Sequence, residues 1–193
     1  MVAAAREEGI DMARKVLDQV LVIDVESTCW DGPPPEGQRG EIIEIGVCAL
    51  DVGSLERVGK ESILVRPEHS VVSSFCTELT TITAADVAAG VTFAEACAVL
   101  RKEAEGRVWA SYGDYDRRQF ERQCADVGVR YPFGIRHLNV KSLFALGRGL
   151  TDEVGMDEAL RMAGLPLEGT HHRGVDDAWN IAALLARLLG AHR

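Results

Sequence analysis

The sequence predicts an α/β protein with one mixed β-sheet, and three patterns carry that prediction. Residues 20–67 contain three extended apolar runs joined by short links, which is typical of an antiparallel meander. After Pro67 the hydrophobic pattern takes on the period of a helix. Short apolar runs at 107–113 and 135–140 then each lead into another helix, so we expect shorter parallel strands to extend the sheet.

The length and composition fit one domain. With 193 residues, of which 47% are hydrophobic, the chain is long enough for one well-buried core. We expect a single domain over residues 1–193, with its core at about 20–190 and a short charged helix at 7–18 before the first strand. The sheet should have five strands, with helices on both faces.

The first three strands follow from runs rich in β-branched residues. VLVIDV at 20–25 indicates a buried strand, EIIEIGVCAL at 41–50 a second and ESILVRP at 61–67 a third. Successive prolines and flanking glycines make 31–40 a loop, and 51–60 is expected to form the turn between the second and third strands.

The remaining chain predicts mainly helices. Thr92 should cap one of them, with Glu95 completing a capping box. The last helix has the strongest signal, because acids open it and alanine and leucine run through it. The predicted helices are 82–90, 92–105, 115–127, 141–149, 156–165 and 176–193.

Charge and cysteine usage exclude several classes of protein. A formal net charge of −9 argues against holding nucleic acid mainly through a broad basic surface. Five widely spaced cysteines, with no C-x-x-C pair, predict neither a disulfide framework nor a zinc site. The charged N-terminus fits no secretory signal, and no run approaches the roughly 18 apolar residues of a membrane span. We therefore expect a cytoplasmic protein with no membrane partner.

Four carboxylates and a histidine lie in three separate segments, each at the end of a strand or helix. Asp24 and Glu26 end the first strand and, being two residues apart, point to the same face. Asp116 follows the fourth strand, whereas His172 and Asp177 directly precede and open the last helix. Such a group suits two divalent cations and a general base, the equipment for cutting phosphodiester bonds.

Each segment by itself has a simpler explanation. A strand that ends in acids can simply be entering solvent, and Asp114 and Asp116 could cap the following helix. A helix cap accounts for one aspartate of the last segment but not for the histidine near it. Glu41 and Glu44, in the second strand, are expected to be exposed at a sheet edge rather than catalytic.

Basic residues are concentrated around the second and third segments, and two interpretations remain open. They could form a phosphate track beside the site, or they could belong to ordinary solvated helix faces. These residues are Arg117, Arg118, Arg122, Arg130, Arg136, Lys141, Arg148 and Arg173.

The order of the segments resembles the DEDDh branch of the DnaQ-like 3'-5' exonucleases. The resemblance covers about residues 20–190 and includes D-x-E after a hydrophobic strand, EIIEIG about twenty residues later and the closing H-x-x-x-x-D-A. DVESTCW, RPEHSVVSSFCTELTTIT, GDYD and HHRGVDDAWNIA are similar to the group with the histone-mRNA and small-RNA trimming exonucleases and the KapD-like proteins. Many relatives have glycine where Thr81 stands. The resemblance implies an RNase H-like fold.

The resemblance also implies roles for the five residues. Asp24, Glu26 and Asp177 would bind the metal that activates water, Asp24 would bridge to a second ion, and Asp116 would hold that ion. The two ions would be Mg²⁺ or Mn²⁺. His172 would be the general base, a role that the near-neutral pKa of histidine suits.

An alternative register is available one residue upstream. His171 and Asp176 have the same spacing as His172 and Asp177, but Asp176 lacks the alanine that follows the aspartate in the family pattern.

The resemblance further implies contacts with the end of a nucleic-acid strand. Phe75 and Tyr115 would sandwich the terminal base, and Leu79 and Thr80 would wedge and hydrogen-bond it. Stacking of this kind is worth roughly 1–3 kcal/mol per base. For Phe75 and Leu79, an ordinary position in the core is an equally good explanation.

The sequence therefore predicts a two-metal 3'-5' exonuclease that releases nucleoside 5'-monophosphates from single-stranded 3' ends. RNA is the preferred substrate by resemblance alone, and targeting to a particular RNA would need a partner protein. Two alternatives are a DNA proofreading or repair exonuclease and a non-catalytic nucleic-acid-binding module with the same fold.

Overall fold

A computed structural model describes residues 17–191 and contains one five-stranded mixed sheet. The strands are β1 (Gln19–Ser27), β2 (Ile42–Asp51), β3 (Arg57–Leu64), β4 (Val108–Ser111) and β5 (His137–Asn139). Their order is β3-β2-β1-β4-β5, with β1, β2 and β3 antiparallel and β4 and β5 parallel to β1. The predicted sheet is confirmed.

Seven helices are found in the same residues. They are α1 (Ser74–Thr80), α2 (Ala84–Ala88), α3 (Phe93–Glu103), α4 (Tyr115–Val127), α5 (Val140–Arg148), α6 (Met156–Ala163) and α7 (Gly174–Gly190). The capping box at Thr92 and Glu95 is present, with the Thr92 N–H donating to Glu95 Oε2 at 2.8 Å. Most of the predicted helix 7–18 lies outside the described residues, and Leu17 and Asp18 are not helical.

The third strand begins earlier than predicted. β3 starts at Arg57 rather than at 61, because Asp51 closes a tight turn by accepting hydrogen bonds from the Ser54 backbone N–H and hydroxyl. β3 is an edge strand in which Val58, Lys60, Glu61 and Ser62 are exposed, so it lacks the long apolar run by which the other strands were found.

Helix α1 was not predicted at all. It is only seven residues long, and its burial is limited to Cys76 and Thr80, so it has no apolar stripe of helical period. The Ser73 hydroxyl caps its first turn by accepting from the Cys76 N–H at 3.0 Å.

The sheet is covered on both faces. One core lies between the sheet and α5, α6 and α7, and the other lies between the sheet and α3 and α4. Burying each large aliphatic or aromatic side chain contributes about 1.5–3 kcal/mol relative to exposure. No helix within residues 17–191 is long and apolar enough to cross a bilayer.

Two glycines bring the N-terminus of α7 against the middle of the sheet. A side chain at Gly46 of β2 would overlap the Gly174 carbonyl, and a side chain at Gly174 would lie 3.1 Å from the Asp24 carbonyl oxygen. A larger residue cannot fit at Gly46, and at Gly174 it would make an unusually tight contact. This close approach places the first turn of α7 directly beside the acidic end of β1.

The expectation that Glu41 and Glu44 lie exposed at an edge is wrong. Glu44 lies in β2, which pairs with a strand on each side, and Glu41 immediately precedes β2; Glu41 is only 4% exposed and Glu44 0%. Glu41 accepts the backbone N–H groups of Glu68 and His69 at 3.2 and 2.9 Å. Both acids can be buried because each carboxylate oxygen accepts at least one hydrogen bond.

Candidate active site

Three carboxylates from the first and last elements meet at one point. Asp24 and Glu26 lie on the same side of β1, and Asp177 lies in the first turn of α7. One oxygen of each lies within 4.8 Å of the others. The alternation of β1 and the contact between Gly46 and Gly174 produce this arrangement.

The fourth carboxylate is locked onto the same strand. Asp116 is 3% exposed in the first turn of α4, and its Oδ1 accepts the Val25 N–H at 2.9 Å. The bond fixes Asp116 beside the backbone between Asp24 and Glu26. Asp114, at the N-cap position of α4, makes no side-chain cap bond.

The structure separates the two adjacent aspartates of α7. Asp177 Oδ1 lies 3.2 Å from His171 Nδ1, and its Oδ2 accepts the His172 N–H at 3.0 Å. Asp176 instead bonds Lys60 Nζ at 2.5 Å and the Thr170 N–H at 2.8 Å. Only Asp177 therefore joins the carboxylate group.

Both histidines lie at the site, with their rings stacked at a centroid distance of 4.0 Å. The His171 ring is held by Asp177. The His172 ring has no hydrogen-bond partner among residues 17–191, and its backbone is fixed at φ +65°. Burial lowers the pKa of His172, with a smaller contribution from His171, so its imidazole is neutral and able to accept a proton at neutral pH.

These side chains surround a cavity of about 290 Å³. A larger cavity of about 790 Å³ lies between α4 and the chain before β5, but its lining includes just one carboxylate, Glu121. The smaller cavity is lined by Asp24, Val25, Glu26, Tyr112, Tyr115, Asp116, Lys141, Gly155, Met156, His171, His172 and Asp177.

The carboxylates strongly perturb one another. Burial, followed by repulsion from Asp177 and Glu44, raises the pKa of Glu26 to about 8. Burial raises the pKa of Asp116 to about 7, and burial with repulsion from Asp116 and Glu26 raises that of Asp24 well above its usual range. Asp24 keeps partial contact with solvent, so its carboxyl is crowded by protein but open to the cavity.

The donor set fits a hard divalent cation. In the part of the chain that the structure describes, neither Asp24 nor Glu26 forms an ion pair, although their neighbours are acids. Carboxylate oxygens are the ligands that Mg²⁺ and Mn²⁺ prefer. Clustered acids without a cation are unfavourable, and a divalent ion would reverse the sign of that interaction.

Stability should therefore depend on pH and metal together. The pKa values of Glu26 and Asp116 are raised from 4.5 and 3.8 to about 8 and about 7, so the folded state binds more protons than the unfolded state. This contribution favours folding at low pH and is lost as pH rises through about 7 to 8.

We expect the melting temperature in EDTA to fall between about pH 6 and pH 9, and millimolar Mn²⁺ to raise it most at the upper end, by on the order of 5 °C. Differential scanning fluorimetry across this range checks both trends. A metal effect that is the same at every pH would contradict the assignment of the binding site to these carboxylates.

The predicted substrate residues fall into two groups. Tyr115 is 58% exposed and lines the cavity beside Asp116. Phe75 and Leu79 lie on α1, outside the cavity lining, and are 36% and 37% exposed, so neither is an ordinary core residue. Thr80 is completely buried, and its hydroxyl donates to the Cys76 carbonyl and accepts from the Ile82 N–H.

The basic residues also lie in different surroundings. Arg117 pairs with Asp114 and Glu121 at 3.3 and 3.0 Å, which favours a solvated helix face for that residue. Lys141 lines the cavity, with its Nζ 3.8 Å from Glu153 Oε2. Arg173 is half-buried, with Nε and Nη2 each 3.1 Å from an oxygen of Glu44 and Nη1 3.3 Å from the Thr81 hydroxyl.

Sequence reasoning missed Tyr112 and Met156 in the cavity lining, and the role of Glu44. Tyr112 follows β4 directly and donates its hydroxyl to the Val154 carbonyl at 2.9 Å, which ties the cavity wall to the chain before α6. The one available signal was the position of Glu44 in an apolar strand, where a charged residue needs a buried partner.

Comparisons with known proteins find similar exonucleases. Human (Homo sapiens) 3'-5' exoribonuclease 1 is 32% identical over 197 residues, covering 93% of this chain and 54% of that protein. The nuclease domain of 3'hExo, a DEDDh family member bound to rAMP, has a TM-score of 0.80 at 27% identity and covers 92% of this chain and 94% of that one.

A second solved structure describes 3'-end specific recognition of the histone mRNA stem-loop by a 3'-exonuclease. Its TM-score is 0.83 at 27% identity, with 91% of this chain and 64% of that chain covered. The chain spans about half the length of the human relative.

The sheet order and these matches define an RNase H-like fold with an acidic centre at the end of β1. Residues 21–185 match the model of the exonuclease family, RNase T. This chain belongs to that family, within its DEDDh 3'-5' exonuclease group.

Proposed function

We propose that this chain is a divalent-metal-dependent 3'-5' exonuclease that hydrolyses RNA from its 3' end to nucleoside 5'-monophosphates. The observation that carries the proposal is the convergence of Asp24, Glu26 and Asp177 within 4.8 Å at a cavity that Asp116 and His172 also line. Membership of the exonuclease family supports it.

The carboxylates would share two cations. Asp24, Glu26 and Asp177 would hold one Mg²⁺ or Mn²⁺, and Asp24 and Asp116 would hold the other. Bound divalent ions supply a nucleophilic water at neutral pH and offset the charge that develops on the phosphate oxygens. The Val25 N–H keeps Asp116 in place, and the His171 ring and His172 N–H orient Asp177.

His172 would act as the general base. Its lowered pKa leaves the imidazole unprotonated at neutral pH, and its ring, free of protein hydrogen bonds among residues 17–191, can accept a proton from water in the cavity. His171 would serve a different purpose, because its Nδ1 is already engaged by Asp177.

The strand end would be gripped by exposed aromatic and apolar side chains. Tyr115 lines the cavity and offers a ring face for the terminal base. Phe75 would provide the opposite face from α1, and Leu79 would wedge beside it. Thr80 is less suited to a direct hydrogen bond because its hydroxyl is occupied inside α1.

The preference for RNA rests on the relatives. One solved neighbour holds rAMP and another recognises an RNA stem-loop, each at 27% identity. A partner protein that directs the enzyme to a particular RNA, and a cytoplasmic location, belong to the same proposal. The five free cysteines are compatible with a reducing compartment.

Matched RNA and DNA oligonucleotides of one sequence test the substrate. With Mn²⁺ we expect the RNA to shorten from its 3' end, releasing 5'-monophosphates on the order of 10-fold faster than the DNA. Gel electrophoresis of 5'-labelled strands measures the rate of shortening, and chromatography of the released nucleotides identifies the product. Faster release from DNA would favour the repair exonuclease, and binding without release would favour the non-catalytic module.

A further inference from the structure

A strained residue lies at the end of α1. Thr81 follows this helix in the left-handed region, at φ +63°, where a β-branched side chain is an outlier. Such a conformation persists only where surrounding contacts hold it. Here the Thr81 hydroxyl accepts a hydrogen bond from Arg173 Nη1 at 3.3 Å.

The same arginine is anchored deep in the sheet. Arg173 Nε and Nη2 donate to the two oxygens of Glu44, each at 3.1 Å, which makes a two-point contact that lysine could not reproduce. Glu44 is fully buried and also accepts the Ser62 hydroxyl at 2.6 Å and the Gly174 N–H at 2.9 Å. Four donors therefore hold this carboxylate in one position.

The anchored segment includes the general base of the proposed function. His172 precedes Arg173 and is itself at φ +65°, with its N–H bonded to Asp177. The backbone from 172 to 174 is thus fixed by Asp177 at one end and by Glu44 at the other. A change in the position of the Arg173 side chain would therefore shift the backbone of the adjacent residue, His172.

From these contacts we infer that Arg173 is a positioning residue that couples the strand-gripping helix α1 to the general base His172. The link runs from Thr81 through the guanidinium to Glu44 and the adjoining backbone. Because Phe75 and Leu79 lie on α1, a correctly seated 3' end would stabilise the geometry of His172 through Thr81. The inference rests on the proposed function for the roles of His172 and α1.

The test removes one hydroxyl and leaves the anchor intact. Thr81→Ala deletes the contact with Arg173, whereas Thr81→Ser keeps it, and neither variant retains the β-branch. We expect Thr81→Ala to lower kcat on RNA on the order of 10-fold with KM within about 2-fold of wild type, since a misplaced catalytic group affects the chemical step. Thr81→Ser should stay within about 2-fold in both.

A second variant checks the route. If Thr81 acts through the guanidinium, Arg173→Lys and Thr81→Ala should be less than additive when combined, because the same link is broken in each. Full additivity of the two effects on kcat, or a rise in KM alone for Thr81→Ala, would overturn the coupling.

Amide hydrogen exchange tests the coupling without measuring catalytic activity. In metal-free protein, exchange at His172 and Gly174 should be faster in Thr81→Ala than in Thr81→Ser or wild type. Equal exchange in all three would overturn the link whatever the kinetics show. A wild-type protein that degrades no RNA with Mn²⁺ would overturn the proposed function instead, and the exchange result would still decide whether Thr81 and the His172 segment are coupled.

Discussion

Replacing Asp24 by asparagine should lower RNA hydrolysis by about 10³-fold or more, because it removes the carboxylate that both cations would share. The same change should leave the metal-free protein as stable or more stable. Burial and its acidic neighbours raise the pKa of Asp24 well above its usual range, so the ionised form costs folding free energy without a cation. Mononucleotide release and the melting temperature in EDTA measure the two effects, and wild-type turnover would refute the role.

Asp176→Asn is the matched control, since it removes a carboxylate from the same turn of α7. Burial by itself would raise the pKa of Asp176. Its bonds to Lys60 and the Thr170 N–H outweigh that effect and hold the pKa below the usual range. We expect near-normal hydrolysis with a modest loss of stability, the reverse of the result for Asp24.

His172→Ala should lower kcat by about 10² to 10⁴ without a comparable loss of metal binding, as expected for a general base that is not a ligand. The His172 ring lies at the cavity without a protein hydrogen bond among residues 17–191, whereas its backbone N–H holds Asp177. Because alanine keeps that N–H, the substitution should remove the base and leave the carboxylate in place. Single-turnover kinetics and calorimetric titration with Mn²⁺ separate the two.

His171→Ala is the decisive comparison, because its ring stacks on His172 and lies at the same cavity. Losing its contact with Asp177 should weaken Mn²⁺ binding and lower kcat by roughly 10-fold at saturating metal. A larger loss of kcat for His171→Ala than for His172→Ala would show that the general base is His171.

The acidic centre could be predicted from the sequence because its members obey simple local rules. Asp24 and Glu26 share a face through the two-residue period of a strand. Asp116 and Asp177 each open a helix that follows directly on the sheet or packs against it. The family pattern then selected Asp177 over Asp176, and the structure places only Asp177 with the other acids.

The contacts that support this centre could not be predicted from local sequence patterns. Glu44 and Arg173 are 129 residues apart, and only the folded topology shows that β2 runs beside the start of α7. The pattern around Glu44 was interpreted as an exposed edge because a charged residue is rarely buried without a partner, and the partner could not be identified. Thr80 shows the opposite error. It was expected to face substrate, but its hydroxyl donates a hydrogen bond to the Cys76 carbonyl within α1.

Helix α1 and the first half of β3 were the weakest part of the fold prediction. Helix α1 has too few buried residues to produce a helical period in the sequence. The first half of β3 has no apolar run that would predict a strand. The long helix α7 was predicted well because its apolar stripe extends over several turns.

Anomalous diffraction from a crystal soaked with Mn²⁺ and a nucleoside 5'-monophosphate tests the central claim most directly. The account predicts one Mn²⁺ peak coordinated by Asp24, Glu26 and Asp177 and a second near Asp24 and Asp116, at the metal–oxygen distances typical of carboxylate ligands. Strong Mn²⁺ peaks elsewhere on the protein, with these four carboxylates unligated in a crystal whose dissolved protein degrades RNA, would contradict it.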